Sequence, residues 1–222
     1  TLIGGAFDQR ATVAGPVRLR LLPTPRLVAE ELRVGAPGTP EGGLAAARLA
    51  GALDPLALLT GTFRFTELSL ERAALSLTLS ERGTLAGPLP RGLATAERVV
   101  LSDGSVHLTD AATGRALTLT GLGATLRHAA EGGPAELSVT LTDPALSGSF
   151  AGRLGADSAD GRISLRTAAI EGTGRLLLEA GRLTLDDARF GVGGSRVTAT
   201  LVAAAGARRP LLSGRLALDR LD

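Results

Sequence analysis

Apolar and polar residues alternate along most of this 222-residue chain. A period of two is typical of strands that belong to a sheet with one apolar face. The polar partners are mostly Thr, Ser and Arg, and the branched Thr side chain suits a pleated surface. The pattern therefore predicts repeated β-strands with one shared aliphatic face. It is clearest at residues 17–21, 75–79, 106–109, 117–120, 137–141, 163–166, 183–185, 197–201 and 216–218.

Turn residues separate these runs at intervals of ten to twenty residues, which predicts an antiparallel meander. The 30 Gly and 11 Pro residues are spread along the chain and do not form one linker. The strongest turn signals are Asp103-Gly104, Thr113-Gly114, residues 131–134, Asp160-Gly161, Gly193-Gly194 and Ala205-Gly206.

One change of register is visible in the apolar pattern. Phe63 and Phe65 occupy odd positions, whereas Leu68 and Leu70 occupy even ones. A strand with a period of two keeps both pairs on one face only if an extra residue is inserted. We therefore predict a β-bulge near Thr66-Glu67.

Helix signals are few. Asp54 can cap a short helix, Pro55 fits its first turn and Gly61 can end it. The Ala-rich residues 44–53 fit a helix or a strand equally well, and residues 2–7 could end a helix that begins upstream. We predict a single domain over residues 1–222, with a weak internal boundary at 82–92, where Gly and Pro accumulate.

An aliphatic sheet face must be covered, and the chain offers few helices to cover it. Three solutions remain: a second sheet forms a sandwich, the sheet closes into a barrel, or it bends into a trough that holds apolar ligands. Periodicity alone favours the sandwich, whereas the trough is the arrangement that implies a function.

Composition narrows the possible functions. The 24 basic residues, all Arg, nearly balance 22 acidic ones, and the charged residues are interspersed, so no nucleic-acid partner is indicated. Five Phe and no Trp or Tyr supply few stacking surfaces for bases or sugars. The absence of Cys excludes disulfides, thiolate metal sites and a Cys nucleophile.

No stretch of about 20 apolar residues predicts a membrane span, and the sequence shows no signal peptide. Because Thr1 is not an initiator Met, we expect a fragment or a processed form that lacks its upstream anchor.

Catalytic motifs are absent from the sequence. His107 lies at a polar position of a predicted strand, and His128 precedes a Gly-rich turn. Their spacing matches no zinc motif, the Gly191–Ser195 run lacks the Lys and helix of a phosphate loop, and no nucleophile elbow occurs. We predict a protein that is not an enzyme and has no cofactor or metal.

An ordered set of motifs resembles the AsmA family of bacterial envelope proteins. AGPVRLRLLPTP at residues 14–25 and LDPLALLTG at 53–61 resemble a strand and a short helix that occur in this order in the family. The stretches ERVVLSDGSV at 97–106 and RPLLSGRLALD at 209–219 resemble later strands. The resemblance covers most of the chain.

This resemblance implies a mostly β fold: a long curved antiparallel sheet, an open trough or β-taco, with one or two short helices. It implies a periplasmic location with an anchor in the inner membrane. Members of the family are implicated in lipid transport and envelope homeostasis, and they are similar in build to bridge-like lipid-transfer proteins. The implied partners are phospholipids or other acyl lipids, bacterial membranes and unidentified envelope proteins.

We therefore expect a lipid-binding or lipid-transfer domain that shields acyl chains along its aliphatic groove. The alternative is a non-enzymatic scaffold of the bacterial envelope with a closed sandwich core. The predicted groove-lining residues are Phe65, Leu75, Leu77, Leu79, Leu117, Leu119, Val139, Leu141, Ile163 and Leu165.

Overall fold

A computed structural model describes residues 11–35, 43–61, 64–81, 85–86, 96–129, 133–155, 158–204 and 211–218. These residues form one sheet of 15 strands and one short helix, α1 (Pro55–Leu59). The strands are β1 (Ala11–Val13), β2 (Val17–Arg20), β3 (Arg26–Gly35), β4 (Gly43–Leu53), β5 (Phe65–Leu79), β6 (Leu85–Ala86), β7 (Arg98–Asp110), β8 (Ala116–Arg127), β9 (Ala135–Thr142), β10 (Ser147–Leu154), β11 (Ser158–Arg166), β12 (Ile170–Glu179), β13 (Arg182–Val192), β14 (Ser195–Ala204) and β15 (Leu211–Leu218).

The strands pair in the order β1-β3-β4-β5-β7-β8-β9-β10-β11-β12-β13-β14-β15, with β2 also beside β3 and β6 beside β5. From β7 to β15 each strand pairs antiparallel with the next one in the chain, as the predicted meander requires. Among the described strand pairs, β5 and β7 are the only parallel pair, and all others are antiparallel. Because β1 and β15 stand at opposite ends of this order, the described sheet is open, and the described strands do not form a two-sheet sandwich.

The predicted short helix is confirmed. The Asp54 carboxylate accepts hydrogen bonds from the backbone N–H groups of Leu56, at 2.9 Å, and Ala57, at 3.4 Å, as a capping residue does. Gly61 follows the helix with a positive φ of 75°. The ambiguous residues 44–53 fall in strand β4, since pairing with β3 and β5 overrides their Ala content.

The predicted bulge at Thr66-Glu67 is also confirmed. Glu67 pairs with Ala52 and Phe65 pairs with Leu53, so Thr66 is the extra residue on β5. Phe63 lies outside the described residues. The proposed boundary at 82–92 also lies there, apart from strand β6, and remains a prediction together with the single-domain assignment.

Two predicted turns are wrong. Asp103-Gly104 lies inside β7, at a shift of register, and Asp160-Gly161 lies inside β11. Both dipeptides carry turn-forming residues. Cross-strand pairing keeps the backbone extended at Asp160-Gly161, and Asp103 adopts a left-handed conformation without reversing the chain. The turns at Thr113-Gly114 and Gly193-Gly194 are confirmed, and the other two include residues outside the described ranges.

Irregular residues interrupt the pairing of neighbouring strands at one level and form a crease across the sheet. Glu31 on β3, Arg72 on β5 and Asp103 on β7 have φ values of 54°, 48° and 52°, and each is skipped in the strand pairing. The register is the same on both sides of the gap between β3 and β4 and between β5 and β7, and it shifts only between β7 and β8. The apolar positions of β5 change from even, at Leu70, to odd, at Ala73. The facing of the side chains therefore reverses on neighbouring strands at the same level, and one aliphatic face stays continuous on both sides of the crease.

Most of the buried apolar residues lie on β3, β4 and β5. Leu32 is 1 % exposed, Leu49 is 3 % exposed and Leu70 is 2 % exposed, and all three belong to one apolar cluster. From β8 to β14 most side chains of the same face are half-buried, and on β15 every residue is exposed. The core is therefore concentrated in the first half of the sheet.

Candidate functional site

The cross-strand register places apolar residues of every neighbouring strand on one side of the sheet, here called the aliphatic face. Directly opposite residues of a sheet share a face. One row of such residues runs unbroken over eight strands, from β8 to β15. Its members are Leu122, Leu141, Gly148, Leu165, Gly172, Phe190, Val197 and Leu218.

The row continues into the buried half of the sheet. Leu122 pairs with Gly104 of β7, and Leu119, on the other side of the Gly121 bulge, pairs with Val106. Val106 in turn lies opposite Leu75 of β5. The aliphatic face is therefore continuous from the buried cluster to the exposed strand β15.

All ten predicted lining residues lie on the aliphatic face, in three separate places. Phe65 lies at the start of β5, opposite Leu53. Leu75, Leu77, Leu79, Leu117 and Leu119 line the far ends of β5 and β8. Val139, Leu141, Ile163 and Leu165 form a central patch on β9 and β11.

The second of these groups lies where the sheet becomes narrower. β8 has 12 residues, and only those from Leu122 to Arg127 pair with β9. Leu117 therefore lies beyond the end of β9 and is 50 % exposed. Asp143, just after β9, accepts hydrogen bonds from the backbone N–H and the hydroxyl of Thr120, at 2.9 and 2.8 Å. These bonds connect the end of β9 to β8 at the point where the sheet becomes narrower.

The prediction missed the part of the face that β12 to β15 contribute. Leu176, Leu185 and Leu201 lie opposite one another across β12, β13 and β14, and Leu216 lies on β15 opposite Ala199. The alternation at residues 183–185, 197–201 and 216–218 carried the signal for three of these strands. The register was needed to show that they extend the same face.

The opposite, polar face carries cross-strand ion pairs. Arg48 pairs with Glu71 at 3.4 Å, and Arg175 forms a bidentate pair with Asp160 at 2.9 and 2.7 Å. The hydrogen bonds from Arg175 lower the pKa of the Asp160 carboxyl, and those to Asp160 raise the pKa of Arg175. These pairs are solvent-exposed, so each contributes little to stability.

Two depressions of about 520 and 530 Å³ are lined largely by polar-face residues. The first lies over β8, β9 and β10 and includes Arg127, Glu136 and Arg153, which are opposite one another in register. The second lies over β13, β14 and β15. Both are shallow and open, and neither lies in the aliphatic face.

The histidines do not form a common site. His107 Nδ1 lies 2.8 Å from the Thr118 hydroxyl, and His128 Nδ1 lies 2.7 Å from the Ala96 carbonyl oxygen. His107 lies near one end of the β7–β8 pair, and His128 follows the other end. At 3.4 Å per residue, the two histidines are about 30 Å apart along the strands. In the described part of the chain, no three His, Asp or Glu residues are grouped as metal ligands.

No protein-family model, curated protein or solved structure matches this chain. Within the described ranges, no helix is both long enough and apolar enough to cross a membrane. The geometry of the aliphatic face is therefore the main basis for an assignment of function.

Proposed function

We propose that this chain is a lipid-binding or lipid-transfer domain that holds acyl chains against its aliphatic face. The observation that carries the proposal is the continuity of that face from β8 to β15 together with its partial exposure. Leu165 is 37 % exposed, Leu183 is 38 % exposed and Leu216 is 71 % exposed. An aliphatic surface of this extent gains free energy when an apolar ligand covers it.

The dimensions suit an extended hydrocarbon chain. Eight neighbouring strands at about 4.8 Å spacing give a row about 34 Å long. An acyl chain in one bilayer leaflet spans about 15 Å, half of the hydrocarbon core. The row therefore exceeds the length of a single acyl chain, and each Å² of apolar area that is shielded contributes about 25 cal/mol.

The chemistry of the face favours aliphatic ligands over ring-shaped ones. Leu, Val, Ile and Ala dominate it, and the rings of Phe150 and Phe190 lie over glycines of neighbouring strands. Such a surface offers dispersion contacts and few groups that would fix a ligand in one orientation. An acyl chain can slide along it, which suits passive transfer between membranes.

The ordered motifs that resemble the AsmA family support a place in the bacterial envelope. We propose a periplasmic domain, tethered to the inner membrane, that takes phospholipid or another acyl lipid from a membrane and contributes to envelope lipid homeostasis. The protein would act without a catalytic step, and its partners would be membranes and envelope proteins.

The test is lipid analysis of the purified protein. We expect mass spectrometry of the organic extract to show phospholipid or another acyl lipid at a stoichiometric amount. Leu117→Glu and Leu165→Glu, at half-exposed positions of the aliphatic face, should each reduce the bound lipid while circular dichroism keeps the β signal. Leu56→Glu, at a position on α1 that is 74 % exposed, is the matched control and should retain the lipid.

Two results would contradict the proposal. One is a folded protein that carries no lipid and accepts none from vesicles. The other is equal lipid binding by the control and the two face variants. If the face variants unfold, the aliphatic face is covered in solution, which favours a scaffold over a lipid-binding role.

A further inference from the structure

Strand β15 ends the described part of the sheet with an edge that is long, regular and apolar. All eight of its residues are exposed, including Leu211 at 68 %, Leu212 at 73 %, Leu216 at 71 % and Leu218 at 48 %. It pairs with β14 without a break in register, and no described strand pairs with its other edge. Alternate N–H and C=O groups of that edge therefore point away from the described sheet.

The opposite end of the sheet is protected. The edge of β3 is covered by two short strands, β1 and β2, of 3 and 4 residues, with Gly15 and Pro16 between them. Short strands and Pro are common devices that prevent sheets from pairing at their edges. β15 has no Pro and no bulge, and its only charged residue is Arg215. The two ends of the sheet therefore differ in their capacity to accept another strand.

We infer that β15 is a dimerisation edge, and that its partner is β15 of a second copy of this chain. Two-fold symmetry with an axis normal to the sheet pairs the copies antiparallel, like the neighbouring strands, and keeps their aliphatic faces on the same side. The exposed backbone groups select an extended strand as partner, and the pattern of β15 matches itself.

Charge selects the register of this pairing. Two registers keep the faces aligned over seven residues: one is centred on Gly214 and the other on Arg215. The second places Arg215 opposite its own copy, where like charges are unfavourable. The first places Arg215 opposite Ser213 and Leu212 opposite Leu216 of the second copy. We therefore assign the register centred on Gly214, which joins the two aliphatic faces into one.

The expected contact is narrow. Eight residues at 3.4 Å give a strand about 27 Å long, and interfaces of less than about 1,200 Å² are weak. We expect a dissociation constant of roughly 1–100 µM, at which both species are measurable. Sedimentation equilibrium of the full chain should therefore show a concentration-dependent shift from 22.5 kDa to twice that mass.

Lysine substitutions test the edge. Leu212→Lys and Leu216→Lys place a charge on β15 at exposed positions and should each weaken dimerisation at least tenfold while the fold is kept. Leu59→Lys, at a helix position that is 85 % exposed, should leave the dimer unchanged. A chain that stays monomeric up to about 1 mM, or a dimer that is insensitive to both edge variants, would overturn the inference.

The chain contains no Cys, so engineered thiols report the register directly. Opposite residues of antiparallel strands lie about 4.5–5.5 Å apart, within the range of a disulfide, whereas diagonal neighbours are about 7–8 Å apart. A mixture of Leu212→Cys and Leu216→Cys chains, both of which keep Arg215, should cross-link faster than either variant alone. Equal rates in the mixture and in both variants alone would overturn the assigned register.

Discussion

The ring of Phe190 on β13 lies over Gly172, its direct partner on β12, in the space that a side chain at 172 would occupy. The same arrangement occurs twice more on the aliphatic face. Phe150 covers Gly161, and Phe65 covers Gly51. All three Phe residues in the described ranges thus place their rings over a glycine of a neighbouring strand, so the rings fill gaps in the sheet surface.

We predict that Gly172→Val destabilises the protein by about 1–3 kcal/mol, because the added methyl groups and the Phe190 ring cannot share one space. Gly191→Ala is the matched control on the neighbouring strand, because a Cβ at 191 would meet its nearest atom, the Glu171 carbonyl oxygen, only at 3.8 Å. Urea unfolding followed by circular dichroism measures both. Equal losses of stability would show that Phe190 does not restrict the space above Gly172.

The two halves of the aliphatic face should respond differently to truncation. Leu70→Ala, at a position 2 % exposed, should lower the free energy of unfolding by about 2–5 kcal/mol because it removes buried contacts and leaves a cavity. Leu117→Ala, at a position 50 % exposed, should cost less than about 1 kcal/mol. Thermal and urea unfolding compare the two. Similar costs would mean that the second half of the face is covered in solution.

The hairpin between β12 and β13 offers a stabilising change. Ala180 and Gly181 have φ values of 47° and 75°, so both are left-handed, as in a type I′ turn. Because Ala avoids this conformation and Asn tolerates it, Ala180→Asn should add about 0.5–1 kcal/mol and raise the Tm by about 1–4 °C. Gly181→Ala should have the opposite sign. Calorimetry tests both, and a lower Tm for Ala180→Asn would contradict this turn geometry.

Acid should weaken the fold partly through Asp143. Hydrogen bonds from the Thr120 backbone N–H, then from the Ala145 N–H and the Thr120 hydroxyl, lower the pKa of the Asp143 carboxyl. A lowered pKa in the folded state gives stability that is present above the ordinary Asp pKa near 4 and is lost as the pH falls through the folded value. Stability should therefore decrease progressively below about pH 5.

Asp143→Asn should be less stable than the parent at pH 7 and should show a smaller decrease between pH 5 and pH 3, because one titrating group has been removed. Urea unfolding at several pH values measures this slope. Asp110, whose pKa is lowered mainly by the Thr113 hydroxyl, should keep part of the acid response in the variant. An unchanged slope would show that the contact between Asp143 and Thr120 is not formed in solution.

Local patterns predicted much of this fold because they depend on neighbouring residues. Alternation identified the strands, Asp54 and Pro55 identified the helix, and the change of parity between Phe65 and Leu68 identified a bulge. Asp103-Gly104 and Asp160-Gly161 misled the prediction because turn propensity is weak beside the hydrogen bonds of two neighbouring strands. Residues 44–53 were ambiguous because their Ala content favours a helix, whereas pairing with β3 and β5 makes them a strand.

By itself, the sequence determined that the protein is built from strands with one aliphatic side, since alternation encodes which residues share a face. Only the tertiary structure decided that these strands form one open sheet, that β5 and β7 are parallel, and that a crease at Arg72 and Asp103 keeps the face continuous. It also decided that Leu70 is buried, whereas Leu216 is exposed. Burial and register depend on residues far apart in the chain, and a local pattern carries no information about which strands meet.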